Sequence, residues 1–469
     1  MRRCADESAH DDHTHSAWET TFHMRRLRTS AATLCLLLVV GACAQDPDPQ
    51  RTTPVTNPTT ATTLDTPNTT RVAAPTTMRA VSPQVAVTSG DPSGNRVIPG
   101  IANLADPPLI VTLGRPAKWV VGAPVGGDVV WVVADDEGVV EAYLDSGGSV
   151  TAFEVAAPQL PPGAPPTVLV VEGTVAVFDP HADRPGLAAL AGHILVGETP
   201  VTIGDTGDVS ASDVRIPGVV ALHDSRIVVG RNGLAAMMTD PTERLNHAVI
   251  GDGVEAETVT VIDPGAGEVV AVLDAPDNTV FEAISPLWAD VDGDGAEEIL
   301  VTASDGDAGA RLVVYRTDGS ILAQSPAIGR GNRWLNQLGV APLGPGGEIE
   351  VVEVRTPHIG GVVGWYRLEG DQLVRQNTAS EYSTHGIFSR NLDEGLIVDA
   401  NGDGRPDVVV PTQDDTRLVA LSRTADGSEI VGVVDLPARP SSNLAGVSRP
   451  DGTASLALAT EDGQMLLWR

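Results

Sequence analysis

Two stretches of the chain carry oxygen-bearing residues at a spacing suited to holding a hard cation. One reads Asp290-Val-Asp292-Gly-Asp294-Gly-Ala296-Glu297-Glu298 and runs into Ile299-Leu300-Val301. The other reads Asp399-Ala-Asn401-Gly-Asp403-Gly-Arg405-Pro-Asp407 and runs into Val408-Val409-Val410. Side-chain oxygens at positions 1, 3, 5 and 9, with a backbone carbonyl at 7, wrap an ion of the Ca2+ type. The glycine after position 5 permits the sharp reversal that brings the carboxylates together. Without a cation, three or four carboxylates so close would repel one another. A helical calcium hand needs Glu at position 12, where these loops have Val301 and Val410. An apolar run of β type follows each loop, so the spacing predicts a turn between two strands. A coordination sphere closed by one loop leaves little room for a substrate, and the expected role of the ion is to staple that turn.

Other constellations are weaker. Asp208-Val-Ser210-Ala-Ser212 spells the D-x-S-x-S pattern of metal-dependent adhesion sites. That pattern needs a buried parallel strand before it and a helix after it, and neither is evident. There is no G-x-S-x-G nucleophile elbow and no His pair at zinc spacing. Arg355-Thr-Pro-His358-Ile-Gly-Gly361 places a cation and an imidazole in one loop, and a satisfied loop histidine is the simpler reading. Trp119, Trp131, Trp288, Trp334, Trp365 and Trp468 read as packing residues rather than sugar platforms.

The elements that must position these loops are strands. Gly (49) and Pro (35) are abundant, and aromatics make up 3% of the 469 residues. From about residue 96 onward, short apolar runs such as Val129 to Ala134, Glu298 to Thr302 and Arg417 to Leu421 alternate with Gly, Asp, Asn and Pro clusters. No stretch keeps a 3.6-residue apolar period over three turns, so the chain is all-β. A Gly/Asp turn recurs before an apolar run at Asp252-Gly253, Asp294-Gly295, Gly344 to Gly347, Asp403-Gly404 and Asp451-Gly452. A unit every 40–60 residues, as about four strands occupy, is the period of a β-propeller blade. The length predicts a seven-bladed β-propeller, with eight blades as the other count. The last unit shows only three runs, so Leu109 to Leu113 is expected to supply its fourth strand and close the ring. Two packed sandwiches explain the repeat less well.

The two loops resemble the FG-GAP/VCBS repeats of integrin-alpha-type propellers and of many bacterial surface proteins. The resemblance implies about two calcium ions. One would be held at Asp290, Asp292, Asp294 and Glu298 with the Ala296 carbonyl. The other would be held at Asp399, Asn401, Asp403 and Asp407 with the Arg405 carbonyl. Glu298 departs from the more usual Asp at position 9. Good matches cover only two repeats, roughly 280–330 and 390–435. The scaffold does not by itself name a function.

The N-terminal part reads as an export and tethering device. Residues 1–23, with His10, His13 and His15 beside Asp11 and Asp12, are expected to precede the true start at Met24. Residues 24–42 have a basic start and a ten-residue apolar run, which is a secretory signal too short to anchor in a bilayer. It ends in Val40-Gly41-Ala42-Cys43, which looks like a bacterial lipobox and implies lipidation of Cys43. With Cys4 and Cys35 upstream, the mature chain keeps no second thiol for a disulfide. Residues 43–95 are expected to form a disordered Thr/Pro-rich stalk, since 12 Thr and 4 Pro fall between Arg51 and Ala80. The propeller would then span 96–469.

Charge narrows the partners. Lys+Arg 30 against Asp+Glu 62 gives a net −32, and Lys118 is the one lysine, so nucleic acid is excluded as a partner. The expected function is that of a cell-envelope lipoprotein, outside the cytoplasm and membrane-bound through its lipid. It would present the propeller as a binding or adhesion platform for a protein or glycan ligand. The alternative is an extracytoplasmic propeller enzyme with catalytic groups in its loops: a hydrolase, a lyase or a quinone-dependent dehydrogenase.

Overall fold

The structure is a computed structural model that describes residues 83–182 and 184–469. The stretch 24–42 expected to be a signal, Cys43 and the Thr/Pro tract between Arg51 and Ala80 lie outside the described residues.

Within them the chain is built of strands, with a single 3-10 turn at Pro180–Ala182. The middle strands of each unit are near-continuous apolar runs. Asp128–Ala134 and Asp407–Pro411, for example, are buried almost throughout. Such runs belong to strands covered on both faces. The last strand of a unit mixes polar and apolar residues and is largely exposed, as in Glu268–Asp274 and Gly427–Asp435.

Among the described residues the strands form six hydrogen-bonded sheets, one of which runs through several units, so that they fall into successive antiparallel groups. They occupy 119–152, 167–178, 194–220, 228–274, 287–324, 335–380, 396–435 and 445–468. Neighbouring groups pack face to face. Val352, Val354 and Trp365 of one group share a core with Ile397, Val408 and Val419 of the next. Leu396 and Val409 in turn meet Leu456 and Trp468. The last group then packs Ala457 and Leu467 against Val120 and Trp131 of the first, which closes the ring of a β-propeller. All six tryptophans noted above are fully buried in these cores.

Closure also uses a hydrogen-bonded strand pair. Leu109–Thr112 pairs antiparallel with the C-terminal strand Gln464–Trp468 and completes its sheet, as the missing fourth run suggested. The globular unit begins earlier than residue 96, however. Gln84–Ala86 pairs with Thr167–Val171 as the inner strand of that group, and Val97–Ile101 runs parallel to Leu396–Asp399. Between them, the carbonyls of Pro92 and Ser93 accept hydrogen bonds from Val229 and Trp288, and Asn95 bonds both polar atoms of the Val340 backbone. A segment that touches the first strands of several groups in turn must lie along the ring axis. The composition of 83–95 resembles a linker, but its hydrogen bonds reach partners as remote in sequence as Val340, Asp393 and Asn443.

The repeat also shifts by one member. Asp294, Gly344 to Gly347, Asp403 and Asp451 sit between the first and second strands of their groups. Asp252-Gly253 instead lies between the second and third strands, Ala235–Thr242 and Glu255–Asp263. The equivalent first turn of that group is Gly230 to Gly233, which carries no carboxylate.

Candidate metal loops and a cavity on the opposite face

Successive strands of a group alternate in direction, which sorts the connections by face. First-to-second turns open on one face. Second-to-third turns and the links between groups open on the other.

Both acidic loops are first-to-second turns and share one backbone design. Asp290 accepts from the N–H groups of Gly293 and Gly295 at 2.7 and 3.0 Å. Asp399 does the same with Gly402 and Gly404 at 2.7 and 2.9 Å. Position 3 accepts from position 5, and position 5 from position 7, in both loops. The carboxylate at position 9 reaches back to the N–H at position 2, Val291 at 2.9 Å or Ala400 at 3.1 Å. Gly293, Gly295, Gly402 and Gly404 all have φ between 78 and 92°, a region an L side chain enters only under strain.

The loops differ in charge. Asp290, Asp292 and Glu298 each offer an oxygen, and these oxygens lie within 4.8 Å of one another. Burial raises the pKa of Glu298, and Asp292, Asp294 and Asp290 add to the shift. In the second loop the Arg405 guanidinium takes the Asp403 carboxylate at 3.2 Å. Asp407 is fully buried and its Oδ1 has no partner. Burial pushes Asp407 up to about 6, with Asp403 and Asp399 contributing. An unsatisfied buried carboxylate oxygen in a loop of other oxygen-bearing side chains fits a hard cation. The donor set of the first loop fits better, because no side-chain cation competes for it.

The opposite face carries a cavity of about 370 Å³ built from the loops of three consecutive groups. His358 comes from the second-to-third turn of one group, and Asp415 and Glu461 come from those of the next two. His385 and Glu394 come from one inter-group link and Arg439 from the following one. Burial, with Asp415 adding, pushes Glu394 up to about 8 against the pull of Lys118 and Arg96. Arg439 meets Asp415 at 3.3 Å.

Of these residues only His358 drew notice in the sequence. One local signal existed. Thr412-Gln413-Asp414 and Thr460-Glu461-Asp462 are twin turns in which each threonine hydroxyl donates to the aspartate two residues on at 2.6 Å. The middle residue of each turn lines the cavity. The Asp208 to Ser212 pattern forms no comparable site, since Asp208–Ala211 is itself a strand.

The axis offers much less space. Residues 88–96 fill it, and the cavity beside Ser89, Gly94 and Arg96 measures about 30 Å³, room for a water or two.

No family model matches the chain, and no curated protein matches it in sequence. Among solved structures it is similar to the quinohemoprotein alcohol dehydrogenase of Comamonas testosteroni, at 10% identity and a TM-score of 0.47 over 81% of this chain and 80% of that one. Quinohemoprotein alcohol dehydrogenase ADHIIG of Pseudomonas putida HK5 gives 11% and 0.47 over 82% and 79%. A europium-containing methanol dehydrogenase gives 10% and 0.47 over 79% and 88%. Likeness at this level carries no argument about chemistry.

Proposed function

We propose that this chain is a lipoprotein of the cell envelope, tethered through Cys43 outside the cytoplasm. Its propeller, stapled by calcium in the two acidic loops, carries a ligand site on the face away from them. The observation that supports this reading is the cavity of about 370 Å³, which lies within the size range of ligand pockets. It gathers Glu394, Asp415 and Glu461 from separate loops on rigid strands. The partner is a protein or glycan outside the cell that reaches this cavity.

The test compares wild type with a Glu394→Gln/Glu461→Gln double variant on a glycan array and on a panel of purified surface proteins. Retention by wild type that is lost in the variant, at unchanged Tm, supports the reading. Equal retention by both removes the cavity from the function. Calcium is tested separately, since excess chelator should lower the Tm of wild type. An unchanged melt would count against the metal loops.

Glu394 gives the enzymatic reading its own footing. A carboxyl held protonated at neutral pH beside other acidic side chains is the arrangement a hydrolase or lyase uses for general acid–base work. Turnover of a retained glycan, abolished in Glu394→Gln while binding persists, would favour that reading. A quinone-dependent enzyme would have to seat its cofactor away from the filled axis.

A further inference from the structure

Strand alternation turns one side of Glu350–Arg355 toward the group at 287–324. Val351 packs there with Leu312 and Val314, while Val352 and Val354 face the opposite way. Glu353 and Arg355 share the side of Val351, because side chains two apart on a strand point together. Arg355 stands directly opposite Leu335, and Arg375 directly opposite Tyr366, and both of those partners pack on the same side as Val351. Register therefore brings both arginines to one side of the sheet. With Pro326 and Ile328 from the link between the groups, these four side chains line a cavity of about 250 Å³. Arg355 precedes His358 in sequence, yet it lines this cavity and His358 lines the other. No carboxylate lines it, in a chain where Asp+Glu outnumber Lys+Arg by 62 to 30. Arg367 on the same sheet gives its guanidinium to Glu350 at 2.8 Å, whereas among the described residues Arg355 and Arg375 have neither a carboxylate partner nor a hydrogen-bond acceptor. The Tyr366 hydroxyl is taken by Glu353 Oε1 at 3.2 Å, and Glu353 is 1% exposed. Burial pushes Glu353 up to about 7 against the pull of Arg355 and Arg375, so this carboxyl offsets only part of their charge.

We propose that this cavity is a second binding site, for a small carboxylate with a short apolar body. Arg355 and Arg375 compensate the charge, and the body lies against Ile328, Leu335 and the ring of Tyr366. Guanidinium N–H groups without an acceptor favour a carboxylate or a phosphate. The apolar half of the lining selects the carboxylate, because an inorganic anion has no surface to bury there. A cavity of about 250 Å³ is smaller than most ligand pockets, which suits a free acid rather than the end of a polymer. It shares no lining residue with the acidic cavity, so the two sites stand or fall separately.

The experiment is titration calorimetry of the mature protein with sodium benzoate, with benzamide as its neutral analogue, with sodium phosphate, and with the peptide acetyl-Ala-Phe, which ends in a free carboxylate. One benzoate per chain is expected, with no binding of benzamide and weaker binding of phosphate and peptide. Arg355→Gln should weaken benzoate about tenfold. The exposed Arg375→Gln, which breaks no contact of the fold, should weaken it several-fold at unchanged Tm. Arg215→Gln removes an exposed cation from the group at 194–220 and should change nothing. No binding of benzoate, equal binding of benzamide, or equal weakening by Arg215→Gln would overturn the proposal. The last result would mean a response to overall charge alone. Tighter binding of phosphate than of benzoate overturns the organic acid, and tighter binding of the peptide overturns the free one.

Discussion

At the scale of single residues, the most unusual group is Glu255. Ala256 pairs with Phe281 in an antiparallel register, so the next position sets Glu255 opposite Glu282. Like charges facing each other across strands destabilise a sheet, and both side chains here are fully buried. Neither Glu255 oxygen has a partner, while Glu282 shares one oxygen with His247 at 2.5 Å. Burial, then Glu282, Asp252 and Asp224, pushes Glu255 up to about 10. A folded pKa above the unfolded one stabilises fully below about pH 4, and that contribution is lost as pH rises towards 10, by up to about 1.4 kcal/mol per pH unit. Glu255→Gln should therefore flatten the pH profile of stability and raise it at pH 8 by at least about 1 kcal/mol. Calorimetric melts at pH 5 and pH 8 check this, and an equal effect at both would refute it. The metal loops give a second prediction at this scale. Asp292→Ala should remove the larger part of the calcium-dependent rise in Tm and Asp403→Ala the smaller. Arg405→Ala should tighten the second loop by freeing Asp403, as a calcium titration of the melt would show.

At the scale of elements, the axial segment holds the ring together from within. Arg96 is 3% exposed and donates to the carbonyls of Asp393 and Leu444 while pairing with the Asp393 carboxylate. Burial opposes ionisation of Asp393, but Arg226, Arg96 and the Thr88 hydroxyl together hold its pKa below the usual range. Arg96→Ala strips the buried Asp393 carboxylate of one of its two guanidinium partners and leaves the Asp393 and Leu444 carbonyls without that donor, so it should cost roughly 2–4 kcal/mol in urea unfolding. Gly100 supports the same segment at φ +114, where a Cβ would stand 2.6 Å from the Thr453 carbonyl. The strands around this segment were legible because their apolar runs reflect burial on both faces. The segment itself was not, because Thr88 to Arg96 contains no apolar run and owes its order to partners remote in sequence.

At the scale of the whole molecule, both ends of the described chain take part in closure. Gln84–Ala86 enters one group, Val97–Ile101 another, and Leu109–Thr112 completes the last. Limited proteolysis should accordingly leave a stable core that begins before Gln84. A core that begins near residue 96 would contradict the axial packing. Closure also separates the two candidate sites onto opposite faces, so loss of calcium should change stability without reshaping the acidic cavity. Ligand titrations in chelator, below the lowered Tm, would show an unchanged affinity.

The sequence by itself determined whatever depends on near neighbours. The spacing of the two acidic loops, their glycines and the β-type runs after them are all local, and each stands where the residues placed it, while the repeat holds at four of its five turns. The tertiary structure alone decided which loops share a face, that residues 83–95 belong to the propeller, and that Glu394, Asp415, Glu461 and His385 meet. Those residues come from three loops spread over more than seventy positions, and no spacing along the chain encodes their meeting. Strand direction and ring closure bring them together, and both are set by packing between groups rather than within them.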